Sequence, residues 1–155
     1  MPNQTTSSSL PTLAQQCADH MWKDDSAAQH IGAQLLEVGS GYCRMSMQVL
    51  PFMLNGHGSC HGGFMFTLAD TCFAYACNSD NQPTVASGCS IDYLRPANAG
   101  ELLIAEGKRV NRGRSTGLYD VQVTNPAGKT VAEFRGRAHQ VGAHLIDPAS
   151  LKETP

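Results

Sequence analysis

The chain has 155 residues, with 11 lysines and arginines against 13 aspartates and glutamates, for a formal net charge of −2 at pH 7. That length suits one domain with a real core, and the slight acidity speaks against a nucleic-acid partner or general polyanion binding. The longest apolar run, 64–77, is broken by Thr67, Asp70 and Thr71 and falls short of the ~20 residues that cross a membrane, so no membrane partner is expected.

Residues 1–10 are rich in Asn, Gln, Ser and Thr and are expected to form a disordered tail, without the apolar stretch of a secretory signal. A helix is predicted from about Thr12 through Leu13, Cys17, His20 and Met21, its pattern fading at Asp24, Asp25 and Ser26. Residues 33–38 read as a short strand, and Gly39, Ser40 and Gly41 as a tight turn. In 42–49, Cys43, Met45, Met47 and Val49 alternate with Tyr42, Arg44, Ser46 and Gln48, which makes a second strand and completes a hairpin. Residues 51–60 form a loop around Asn55, Gly56 and Gly58. A long helix then begins near His61 and ends near Asn78 and Ser79. Strand patterns follow at 84–94, 102–110, 115–124 and 130–141, separated by turn signals at 96–100, 111–113 and 125–128. From Asp147 the chain reads as a frayed tail, which leaves a domain over 11–146 with tails at 1–10 and 147–155.

One sheet with one dominant helix is an α+β layer, and consecutive strands joined by short turns are expected to pair antiparallel. The long helix is apolar on nearly every side, through Phe64, Met65, Phe66, Leu68, Ala69, Cys72, Phe73, Ala74, Tyr75 and Ala76. The sheet can cover one face of such a helix, so a second subunit is expected on the rest. The six cysteines (Cys17, Cys43, Cys60, Cys72, Cys77 and Cys89) are irregularly spaced, two of them inside that apolar helix. They read as reduced thiols of a cytoplasmic protein rather than as a disulfide framework.

Within the long helix the lone charged side chain is Asp70. Burial among apolar groups raises the pKa of a carboxyl, and a poised carboxylate is a candidate general base or nucleophile. A structural Asp bonded to Thr67 or Thr71 is the competing reading. Gly62 and Gly63, directly after His61, are poor helix formers that suit a first turn where a ligand approaches the backbone. The free N–H groups of that turn could hold an oxyanion, aided by the helix dipole, although a plain entry turn would use the same residues. Asp70 lies eight residues beyond Gly62, ~12 Å along a helix and about 80° around it. One chain therefore cannot bring both to a single carbonyl, whereas two antiparallel helices about a two-fold axis can.

Other groupings carry less. His57, Cys60 and His61 lack the further ligand pair of a zinc site, so no metal is expected. Gly56, His57 and Gly58 do not form a dinucleotide fingerprint, and a Cys–His nucleophile on Cys60 or Cys72 is a minor alternative. Only Lys23 and Arg44 among the basic residues precede Arg95. Lys108, Arg109, Arg112 and Arg114 cluster at a turn followed by Ser115 and Thr116, either a solvated basic turn or a phosphate-binding patch that Arg95 could join.

The stretch 54–70, with Asn55 upstream, His61-Gly62-Gly63 and Leu68-Ala69-Asp70, resembles the motif of the phenylacetate-degradation PaaI-type acyl-CoA thioesterases. So do 71–79, 90–96 and 113–120, and the likeness spans nearly the whole chain after the first ten residues. The resemblance implies a hot-dog fold, an antiparallel sheet wrapped around a long central helix, assembled as homodimers usually paired into homotetramers with sites at the dimer interface. It also implies hydrolysis of acyl-CoA thioesters, notably aryl-acetyl ones, without a cofactor beyond the CoA of the substrate. On that likeness Asp70 is general base or nucleophile, and the Gly62 amide polarises the carbonyl from across the interface. Asn55 places substrate or water, His61 supports, and Arg112, Arg114, Ser115, Thr116 and Arg95 contact CoA. Leu54, Phe64 and Asn78 are candidates to line the acyl pocket. A hot-dog hydratase or dehydratase and a non-catalytic acyl-CoA-binding protein are the alternatives.

Overall fold

The computed structural model describes residues 9–154, so most of the tail expected at 1–10 lies outside the described residues. Helix α1 is Leu13–Trp22, started by the Thr12 hydroxyl, which accepts from the Gln15 N–H. Asp24 to Ser26 do not merely blur its end: the Asp25 carboxylate accepts from the Ala28 N–H and starts a second short helix, α2, Ser26–His30. Strands β1 (Gln34–Gly39) and β2 (Tyr42–Gln48) make the hairpin, and a 3-10 turn, Pro51–Met53, interrupts the loop that follows. The long helix α3 is Gly62–Cys77. Strands β3 (Thr84–Tyr93), β4 (Leu102–Arg112), β5 (Thr116–Thr124) and β6 (Thr130–Gln140) complete the chain's regular structure, apart from a last 3-10 turn at Pro148–Ser150.

The six strands form one antiparallel sheet in the order β1-β2-β4-β5-β6-β3. One expected pairing is absent, since β3 and β4 are consecutive but not neighbours. Strand β3 pairs with β6 at the far edge, and β2 takes β4. The connection between β3 and β4 is therefore no hairpin. It crosses the start of α3, with Ala97 fully buried, the Ala97 carbonyl accepting from the Cys60 N–H, and the Gly100 N–H donating to Val49.

The sheet curls around α3, which buries Met65, Leu68, Ala69, Cys72, Phe73, Tyr75, Ala76 and Cys77. The alternation read in β2 holds: Cys43, Met45, Met47 and Val49 are buried against the helix. Close approach depends on small sheet residues. A Cβ at Gly136 of β6 would lie 2.8 Å from the Phe73 ring, and one at Gly107 of β4 would lie 3.2 Å from Cys72 Sγ. The chain does not cover α3 all round: Phe64, Phe66, Thr67, Asp70, Thr71 and Ala74 stay only partly buried. All six cysteines are free thiols. Among the described residues no helix is long and apolar enough to cross a membrane.

The C-terminal segment is not frayed. Asn81 bonds Ile146 through both its amide groups, Asp147 starts the last 3-10 turn, and the Lys152 N–H donates to Gln16 on α1 at 2.8 Å. The contacts made by Asn81 and Gln16 join residues far apart in sequence, so the local composition of the tail does not reveal them.

Candidate active site

The start of α3 is built by His61. Its Nδ1 accepts from the Gly63 N–H at 2.9 Å, and its carbonyl accepts from the Phe64 N–H at 3.0 Å. An accepting Nδ1 leaves the ring proton on Nε2. The remaining amide of that turn, Gly62 N–H, has no acceptor among the described residues. It points out of the positive end of the helix, an arrangement that favours an anion.

The loop before it is pinned from within. The Asn55 side-chain oxygen accepts from the backbone N–H of His57 at 2.9 Å and of Ser59 at 3.3 Å, which fixes the amide orientation, and its NH2 group donates to Ser59 Oγ at 3.3 Å. Gly58, in the loop read from the sequence, has φ of 79°, a backbone conformation that favours glycine. The Cys60 and His61 N–H groups bond Ala97 and Met53, so the loop enters α3 at a fixed angle. Asn55, Ser59, His61, Gly62, Gly63, Met65, Tyr93 and Arg95 line an open cleft of about 550 Å3.

Two residues of β3 complete this surroundings, and the sequence reading missed both. The Tyr93 hydroxyl donates to the Gly62 carbonyl at 2.9 Å, and a Cβ on Gly62 would sit 2.7 Å from Tyr93 Cζ. Glycine at position 62 thus answers to a neighbouring ring as well as to any ligand. Further along the strand, Cys89 Sγ lies 3.9 Å from Asp70 Oδ1. Period-two alternation places Cys89, Ile91 and Tyr93 on one face of β3, but only the packing shows which helix residues they meet.

Asp70 is half-buried on the partly covered face of α3 and does not line the Gly62 cleft. Burial raises its carboxyl above the ordinary carboxylate value, with the Cys89 thiol acting in the opposite sense. The structural alternative, bonds to Thr67 or Thr71, does not form. The Thr67 hydroxyl donates to the Gly63 carbonyl at 2.9 Å and the Thr71 hydroxyl to the Thr67 carbonyl at 2.7 Å. Cys89 is the one side chain bonded to Asp70 among the described residues.

The basic residues divide. Arg95 does not join the patch around residue 112; it lines the Gly62 cleft, its guanidinium donating to the Thr130 carbonyl at 2.7 Å. In the patch itself Lys108 pairs with Glu106, and Arg109 and Arg112 both pair with Asp80. Burial works to raise the Asp80 carboxyl, but bonds from Ser40 and Arg109 and the charges of Arg109 and Arg112 hold it below its ordinary value. Arg114 alone of this group has no ion pair among the described residues, and it stands exposed beside Ser115 and Thr116. The recess these residues border, next to Cys77 and Gln140, measures about 20 Å3, room for little more than one water. Asn78, a candidate pocket residue, is buried instead, donating to the Ala74 and Thr84 carbonyls and accepting from the Thr84 N–H. Among the described residues no three His, Cys, Asp or Glu side chains converge on one point.

Comparison with known proteins places the fold in a family. The family model described as the thioesterase superfamily matches residues 57–139. Acyl-coenzyme A thioesterase PaaI of Escherichia coli K12 is 45% identical over 136 residues, covering 88% of this chain and 97% of that protein. The structure of the E. coli PaaI protein from the phenylacetic acid degradation operon superposes with a TM-score of 0.84, over 85% of this chain and 96% of the other. A Streptococcus mutans protein solved bound to acetyl CoA is 29% identical with a TM-score of 0.70, over 72% of this chain and 90% of the other. Human acyl-coenzyme A thioesterase 13 is 30% identical over 108 residues, 68% of this chain and 77% of that protein. With its antiparallel sheet wrapped on one long helix, the chain belongs to the thioesterase superfamily, is of the PaaI type with the hot-dog fold, and is a thioester hydrolase.

Proposed function

We propose that the chain hydrolyses acyl-CoA thioesters, aryl-acetyl ones such as hydroxyphenylacetyl-CoA above all, to the free acid and CoA. The observation that carries this reading is the unpartnered Gly62 N–H at the start of α3, on the same helix as the half-buried Asp70 carboxylate. In a single chain the two are ~12 Å apart along the helix, too far to act on one carbonyl. In this reading two copies pair about a two-fold axis with their α3 helices antiparallel, so that Gly62 of one faces Asp70 of the other. The outer edge of β3 carries no strand among the described residues, and such an edge invites pairing with another copy. The partly covered stripe on α3 flanks the same strand. Pairing of dimers into a homotetramer belongs to the same proposal.

The chemistry then follows from the groups in place. The Gly62 N–H and the helix dipole stabilise the oxyanion that develops on the thioester carbonyl. Asp70 takes a proton from water as its oxygen attacks the carbonyl carbon; collapse of the intermediate breaks the C–S bond, and the CoA thiolate takes up a proton. In the second route Asp70 itself attacks, giving a mixed anhydride that water opens. A carboxyl raised by burial is a stronger base than an ordinary one. The Asn55 NH2 group is a second donor towards the carbonyl or the water, and Arg114, Ser115 and Thr116 supply donors for CoA phosphates. The route calls for no metal or redox group. The S. mutans neighbour bound to acetyl CoA supports the CoA part of the substrate, and the phenylacetic acid operon of the E. coli relative supports the aryl-acetyl part. Six free thiols suit a reducing cytoplasm.

The test is a thiol-release screen over aryl-acetyl, benzoyl and straight-chain acyl-CoAs, with enoyl-CoA hydration assayed alongside. Aryl-acetyl thioesters are expected to give the highest kcat/KM, and a folded Asp70→Asn protein to lose turnover by at least a hundredfold. Near-wild-type hydrolysis by Asp70→Asn, or hydration without thiol release, would overturn the reading.

A further inference from the structure

Two adjacent glycines give a helix start little stiffness of its own. Yet the peptide joining Gly62 to Gly63 is held at both ends by side chains. Its N–H, on Gly63, donates to His61 Nδ1 at 2.9 Å, and its carbonyl, on Gly62, accepts from the Tyr93 hydroxyl at 2.9 Å. The Tyr93 ring also fills the space a Cβ on Gly62 would take, 2.7 Å from Cζ and 2.9 Å from the hydroxyl oxygen. His61 is local to the turn, whereas Tyr93 reaches it from the last residue of β3.

We infer that Tyr93 is a positioning residue for the oxyanion-binding amide: with His61 it clamps the Gly62–Gly63 peptide, while the Phe64 N–H holds the carbonyl of the adjoining His61–Gly62 peptide, so that Gly62 is fixed on both sides and its N–H, part of the latter peptide, keeps one direction. The inference rests on the proposed thioester hydrolysis for its catalytic meaning, but the clamp itself is a matter of structure. A preorganised donor matters most where charge develops in the transition state. Loosening it should lower kcat and leave ground-state binding nearly unchanged.

Tyr93→Phe keeps the ring and removes only the hydroxyl. On the purified full-length protein it is expected to lower kcat about fivefold, the worth of one ordinary hydrogen bond, with KM within about twofold of wild type. Unchanged kcat, or kcat, KM and Tm moving together, would overturn the positioning role. A second measurement needs no substrate. Gly62→Ala should lower Tm in the wild-type background, where the new methyl displaces the Tyr93 ring, and should lose that penalty in a Tyr93→Ala background. Equal effects of Gly62→Ala in both backgrounds would overturn the clamp. A wild-type protein that releases no thiol from any acyl-CoA would sink the proposed function while the Tm cycle still decides the clamp. An active wild type with an inactive Asp70→Asn but a fully active Tyr93→Phe would sink this inference alone.

Discussion

The thiol of Cys89 on β3 lies 3.9 Å from the Asp70 carboxylate on α3, and the hydroxyls of Thr67 and Thr71, nearer in sequence, bond the helix backbone instead. The same strand meets Gly62 through Tyr93. Four strand residues span ~13 Å and eight helical residues ~12 Å. Strand β3 therefore runs antiparallel beside α3 in matching register, with one of its side chains at each candidate catalytic position. Burial raises the Cys89 thiol, and the Asp70 charge and hydrogen bond raise it further, so the sulfur stays protonated and able to donate. Cys89→Ala removes a group that lowers the Asp70 carboxyl, so that carboxyl should rise further. The acid limb of the kcat/KM profile is expected to move to higher pH in Cys89→Ala and less so in Cys89→Ser, which keeps a donor. A limb that stays put in both variants would show that the contact does not tune Asp70.

Asp70 also makes a prediction about stability. Its folded-state carboxyl is raised by burial, so ionising it opposes folding. The proton-bound form is the stabilised one, and that stability is lost as the pH rises through the folded value. Asp70→Asn holds the site neutral at every pH. It should therefore raise Tm at pH 7, and the gain should shrink as the pH falls through the Asp70 range. A Tm difference that is independent of pH would contradict a burial-raised carboxyl.

Most of the secondary structure was readable because each element announces itself locally. The alternation of Cys43, Met45, Met47 and Val49 records a strand with one buried side, and His61 before two glycines marks a helix start. What local pattern does not encode is which neighbour an element meets. Strand β3 lacks any residue that names β6 as its partner, so the short connection through Pro96 and Gly100 suggested a pairing with β4 that the crossing at Ala97 rules out. Arg95 went to the Gly62 cleft for the same reason, carried there by the end of β3. The basic turn was legible as charge, but its neutralisation by Asp80 depends on where α3 ends in space. Asp70 and Gly62 were singled out by residue type and spacing, and His61 and Asn55 by the family resemblance. Tyr93 and Cys89 were not, since an aromatic and a thiol in a strand carry no signal of function on their own.

Asn55 separates two roles in one side chain. Its oxygen accepts from the His57 and Ser59 amides, while its NH2 group donates to Ser59 Oγ at 3.3 Å and has a second hydrogen to offer beside the cleft that Asn55 lines. Asn55→Asp keeps the acceptor and removes the donor; Asn55→Ala removes both. The aspartate variant should hold Tm close to wild type and lose roughly a hundredfold in kcat, the usual cost of one oxyanion-type donor. The alanine variant should lose stability as well, by about 1 kcal/mol or more for unsatisfied loop amides. Full activity in Asn55→Asp would leave Asn55 with only its loop-shaping role.

The basic turn makes the last prediction, because its two arginines differ in what already holds them. Arg112 donates to Asp80 at 2.8 Å, whereas Arg114 has no ion pair among the described residues. If Arg114 meets a CoA phosphate, Arg114→Ala should raise KM for acyl-CoA several-fold. It should leave hydrolysis of the matching acyl-pantetheine, which lacks the nucleotide, near wild type, with Tm unmoved. Arg112→Ala should lower Tm instead, since Asp80 loses one of its two guanidinium partners. Asp80 is held below its ordinary value when folded, so its contribution is present above the unfolded-state value and fades as the pH falls through the folded one. The Tm deficit of Asp80→Asn should accordingly be largest near neutrality and narrow in acid. Equal KM changes for acyl-CoA and acyl-pantetheine in Arg114→Ala would remove this turn from the CoA site and leave it a solvated loop.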